Sequence, residues 1–137
     1  MTITKPTVLE KWHKIMLSND LQLLDEVLAE EVVFHSPVVH TPQKGKYITK
    51  LYLTAASEVL GGDGFTYVRE IVGDGNFVLE FTKEIDGVHI NGVDIVAFNE
   101  QGQIVDFKVM VRPLKAMQKV HQKMGEMLEK FKQKGNK

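Results

Sequence analysis

Asp94 is the residue of this sequence whose setting calls for chemistry. It stands between Val93 and Ile95 in the apolar run from Gly92 to Phe98. A carboxylate withdrawn from water there must be paired, hydrated, protonated or functional, because desolvating a lone charge is costly. A strand alternates its faces with period two, so Asp94 shares a face with Ile90, Gly92, Val96 and Phe98. In such company a carboxyl holds its proton more tightly than usual and can serve as acid, hydrogen-bond donor or base, according to the ligand. The competing reading is a buried structural acid bonded to Trp12, His40 or a backbone amide, since perturbed acids occur in cores as well as in sites.

His40 is the second candidate. If the strand ending near Pro37 keeps its alternation with Ser36 inward, Val38 and His40 also turn inward, and a neutral imidazole beside Asp94 could act as a base. The plainer alternative is an exposed loop histidine ahead of Pro42. His35 and His89 fall on the opposite faces of their strands, at the surface or a dimer interface. His13 leaves the buried stripe of its helix, and His121 lies on an apolar seam where histidines are mostly packed. No His-x-x-x-His or Asp/Glu-x-His pair occurs, so neither a metal nor any other cofactor is expected. Glu70, Glu80 and Glu84 alternate with apolar residues and read as a solvated strand face, not as a glycosidase-type carboxylate pair. Arg112 reads as a surface arginine that meets an anionic group at a cavity rim or pairs with Asp106 or Glu70.

The elements that must position these residues follow from periodicity. Val8, Leu9, Trp12, Ile15 and Met16 have the spacing of one buried helical stripe. Asn19 with Gln22 resembles a capping box opening a second helix over 20–29. A short strand, 32–36, stops at Pro37, and 38–45 reads as irregular. A third helix spans about 46–60 and ends at Gly61-Gly62. From Phe65 the period becomes two, with turn signals at Gly73–Gly75, Asp86-Gly87 and Asn99–Gly102. That predicts a four-strand meander over 65–72, 76–85, 88–98 and 104–112. On the last strand Phe107, Val109 and Val111 face inward, and Pro113 stops it. A terminal helix over 114–131 carries a seam of Leu114, Met117, His121, Met124, Leu128 and Phe131 that packs on its own sheet or on a second copy. Four of the six methionines follow residue 109, which suits an adaptable apolar surface. The fold class is therefore α+β: a curved antiparallel sheet wrapped against helices, with a hollow between them.

Two gapless stretches, Asn19–Pro37 and Asp94–Lys108, resemble the second helix plus first strand and the last hairpin of the nuclear transport factor 2-like superfamily. The likeness is to its SnoaL-like and ketosteroid-isomerase-like members, with their cystatin-like cone, and it covers about 7–112. It implies that Asp94 stands at the oxyanion-holding acid of the isomerases, and that Trp12 occupies the helix position of their tyrosine, with an N–H that can only donate. The family's proton-shuttling aspartate corresponds to Ser36, which cannot act as a carboxylate base. Steroid isomerisation by the family mechanism is therefore not expected. The resemblance also implies a homodimer formed through sheet faces.

Composition bounds the rest. The 137 residues are 43% hydrophobic and 26% charged, with a net charge of −1 and no cysteine. Residues 1–137 read as a single domain. Near-neutrality speaks against nucleic acid as partner, and the lack of cysteine excludes disulfides and thiolate chemistry. No run approaches the ~20 apolar residues of a membrane span. With no apolar signal core at the N-terminus, a cytoplasmic location is expected. The expected partner is a small apolar molecule held by Asp94, Trp12, Ser36, Ile90, Val96, Phe107, Val109 and Val111, with His40 assisting. Proton transfer of the isomerase, cyclase or dehydratase kind is the expected reaction. A non-enzymatic binding or interaction module is the alternative.

Overall fold

The computed structural model describes residues 6–135. Helix α1, Thr7–Ser18, buries all five residues of its predicted stripe. It ends at Asn19, which adopts the left-handed conformation with φ 55°. Asn19 thus closes α1 instead of opening the next helix, and its Oδ1 accepts a hydrogen bond from Ser57 Oγ at 3.1 Å. The expected capping box does not form. Helix α2 is only Leu23–Val27, and strand β1 begins at once, running Leu28–His35. Leu28 and Ala29, expected on the helix, are buried strand residues, because β1 needs them to reach its partner. A two-residue strand β2, Gln43–Lys44, pairs with β1 inside the stretch read as irregular. Helix α3 is Lys46–Leu60.

The meander forms as expected: β3 Thr66–Gly73, β4 Asn76–Ile85, β5 Val88–Phe98 and β6 Ile104–Arg112, each antiparallel to the next. The β5–β6 turn is an Asx turn in which Asn99 Oδ1 accepts the backbone N–H groups of Gln101 and Gln103, each at 3.0 Å. The sheet order is β2-β1-β6-β5-β4-β3. Its β1–β6 pair is parallel, so the six-stranded sheet is mixed.

One face of the sheet, with Phe77, Leu79, Phe81, Ile90, Val96 and Phe107, packs against the helices in one hydrophobic cluster. Helix α4, Leu114–Gly135, extends beyond its expected end. Its buried residues are Ala116 and Val120, whereas Leu114 is 72% exposed. Leu114 thus leaves the predicted seam, while Met117, Met124, Leu128 and Phe131 are half-buried, and the helix lies on the rest of its own chain. A bulge between Tyr67 and Arg69 shifts the register of β3. Tyr67 pairs with Phe81 and Glu70 with Leu79, both buried partners, so Glu70 turns to the helix-covered face. It contacts His13 Nε2 there. The solvated-face reading therefore fails for Glu70, because strict alternation does not allow for an inserted residue.

Candidate functional site

Asp94 sits in the middle of the covered face, with Leu79 of β4 and Val109 of β6 directly beside it. It is 4% exposed. Among the described residues it has no ion-pair partner, and burial pushes its pKa up to about 8; the nearby Trp12 N–H opposes that shift. The indole Nε1 closes no hydrogen bond of full geometry on any described protein atom, so its effect on Asp94 is that of a nearby dipole. The same is true of the buried Tyr67 hydroxyl. Burial first, then the Asp94 charge, pushes the Tyr67 pKa upward, so the phenol stays protonated. Two buried donors that close no full hydrogen bond on a described atom, gathered around a buried carboxyl, make an unusual cluster, since buried polar groups are nearly always satisfied.

Next to this cluster is a cavity of about 170 Å³. Asp94 and Trp12 line it, and the Trp12 ring packs on Phe107 with centroids 4.9 Å apart. Phe34 continues the wall, 6.0 Å from Phe107 and 5.4 Å from Tyr52. Within β5, Gly92 lies opposite Phe81 of β4. A Cβ on Gly92 would fall 2.2 Å from Phe81 Cζ, so only glycine allows that ring to lie flat on β5 and form part of the wall. Ser36 and His121 of α4 also line the cavity.

Of the residues expected at the site, Asp94, Trp12, Ser36, Phe107, Val109 and Val111 line the cavity. Ile90 and Val96 share Asp94's face but are packed in the core, 1% and 0% exposed, and do not reach the cavity. His40 is exposed and outside the lining. β1 ends at His35, so the alternation that would have carried His40 inward stops before it. His35 binds Asp106 Oδ1 at 2.9 Å, and Arg112 Nε donates to Asn91 Oδ1 at 2.9 Å, not to an acid. Sequence reasoning missed the α4 contribution, Val120, His121, Met124, Gly125 and Leu128. The signal was present as the helix's apolar stripe, but a stripe does not say what it covers. It also missed Tyr67, which the bulge places. Among the described residues no group of three or more histidine or acidic side chains could hold a metal ion.

A scan against protein-family models and a search of curated proteins return no match. Solved structures do match. A steroid delta-isomerase from Pseudomonas aeruginosa is 33% identical with a TM-score of 0.83, over 90% of this chain and 90% of that one. An uncharacterised protein with a cystatin-like fold from Silicibacter pomeroyi is 26% identical with a TM-score of 0.80, over 88% of this chain and 84% of that one. A nuclear transport factor 2-like protein of unknown function from Mesorhizobium loti, 19% identical with a TM-score of 0.68 over 77% and 88% of the two chains, shares the fold.

Proposed function

The chain belongs to the nuclear transport factor 2-like superfamily, and from that premise we propose that it binds a small apolar compound through one acceptor oxygen. Where it turns that compound over, it does so by proton transfer of the isomerase, cyclase or dehydratase type. The observation that carries this reading is the Asp94 carboxyl, 4% exposed and lining the cavity, beside the Trp12 indole N–H that closes no full hydrogen bond on a described atom. A carbonyl oxygen placed there would accept from both groups. As a proton leaves the carbon beside the carbonyl, charge builds on that oxygen, and fixed donors in a water-poor site stabilise it far better than water does. No cofactor is needed for such a step. His121 is the one imidazole among the lining residues, but it is exposed while Asp94 is buried, so the assisting base role first given to His40 does not pass to it.

One observation favours the binding-only alternative. Ser36 lines the cavity at the position that the resemblance assigns to the isomerases' carboxylate base, and a hydroxyl cannot replace a carboxylate. The two readings separate in one experiment. A β,γ-unsaturated cyclic ketone is incubated with the protein, and its conjugated isomer is followed by ultraviolet absorbance. The enzymatic reading expects turnover that falls by about 100-fold or more in Asp94→Asn. Absence of turnover together with phenol binding that weakens in Asp94→Asn leaves the binding reading standing alone. Phenol binding that Asp94→Asn does not alter removes Asp94 from both. We also propose that the protein is a homodimer.

A further inference from the structure

Gly125 has no structural reason to be glycine. It lies inside α4, where glycine is the least favourable residue apart from proline. Its φ is not positive, and a Cβ built on it would meet nothing within 4 Å. Neither backbone conformation nor packing therefore excludes a side chain. What distinguishes the position is its place on the cavity. His121, Gly125 and Leu128, at i, i+4 and i+7 of the helix, belong to its lining, as do Ser36–Val39, and the exposed members of these two groups mark where the cavity opens. Deep in the cavity Asp94, Trp12, Phe107 and Val120 are buried, while at the opening Val39, His121 and Gly125 are exposed. The cavity thus runs from the acid to a mouth flanked by the one α4 lining position that has no side chain.

We propose that Gly125 sets the width of this mouth and so determines specificity, admitting two-ring ligands that a larger residue would turn away. The inference deepens, and rests on, the reading of the cavity as a ligand site. Size supports it. The cavity's volume of about 170 Å³ is close to that of the ~150 Å³ engineered cavities that hold a single benzene. A one-ring compound fits inside, whereas the second ring of a fused bicyclic reaches toward the opening and passes Gly125. The residue at position 125, not the buried end, then decides whether a second ring is admitted.

Calorimetric titration with phenol and naphthol, each carrying one oxygen, tests this on the full chain and on Gly125→Ala and Gly125→Leu. Wild type and Gly125→Ala should bind both probes. Gly125→Leu should keep its phenol affinity and lose ~10-fold or more for naphthol. Removing glycine from a helix interior should leave the melting temperature of both variants at or above that of wild type, so a selective loss reports the mouth and not the fold. Naphthol affinity unchanged in Gly125→Leu overturns the proposal. So does equal loss of both probes, which would mean that the leucine fills the cavity. Failure of wild type to bind either probe overturns the parent reading, and the aperture with it.

Discussion

At the scale of the residue, the chemistry rests on the proton that Asp94 keeps. Its pKa rises from 3.8 in the ordinary state to about 8 in the fold, so between those values the unfolded chain is ionised at this position while the native one is not. The unfolded state then binds fewer protons, and stability falls as pH rises through that window, by about 1.4 kcal/mol per pH unit. The contribution is fully present below about pH 4 and lost above about pH 8. Asparagine has nearly the same shape and never ionises. Urea denaturation across pH 4 to 8 should therefore show Asp94→Asn gaining on wild type as pH rises, by several kcal/mol at the upper end. Parallel pH profiles would place the carboxyl in water. The Trp12 N–H favours the ionised carboxylate. Trp12→Phe should accordingly move the Asp94 midpoint, read from its side-chain carbon resonance by nuclear magnetic resonance, to higher pH. An unchanged midpoint would show that the indole does not act on this carboxyl.

At the scale of the element, Gly92 shows how a strand makes a wall. A methyl there would overlap the Phe81 ring, and a cross-strand pair held in a ladder has little freedom to part. Gly92→Ala should cost about 1–3 kcal/mol in chemical denaturation and weaken phenol binding, because the displaced ring moves into the cavity. Unchanged stability would mean that the wall is softer than its packing implies. The meander itself was legible, since turns such as Asn99–Gly102 and period two in 88–98 define strands and their faces. That is why Asp94, Phe107, Val109 and Val111 could be placed together from sequence. Three features were not legible, each for a physical reason. Leu24, Val27 and Leu28 fit a helical stripe, yet the chain leaves the helix at Leu28 because β1 is held by β6, a partner about 76 residues away that no local pattern contains. The bulge in β3 inserts one residue without any glycine or proline to announce it, and so reverses the face of Glu70. His40 was carried inward by an alternation that the end of β1 at His35 cuts short.

At the scale of the whole molecule, the sheet has a second face that no element among the described residues covers. On it Ile71, Val78 and Ile95 form a row across three strands, with Val93 and Met110 in the row beside them. Ile71 is 54% exposed, Met110 53% and Ile95 38%, too much apolar surface in adjacent positions for scattered surface residues. With Arg69 paired to Glu80 at 3.6 Å at the edge of this patch and a net charge of −1, two copies can approach face to face without strong repulsion. The opposite face is committed to the helices and the cavity, so pairing through this one would leave the mouth beside α4 open to ligand. Sedimentation equilibrium should therefore give twice the mass of the chain for wild type. Ile95→Lys combined with Met110→Glu should shift that mass toward a single chain while phenol still binds, because both side chains point away from Asp94. A wild-type protein that stays a single chain at high concentration would show that the apolar outer face is not a homodimer interface. A dimer that survives both substitutions would place the contact elsewhere, with the exposed stripe of α4 as the next surface to change.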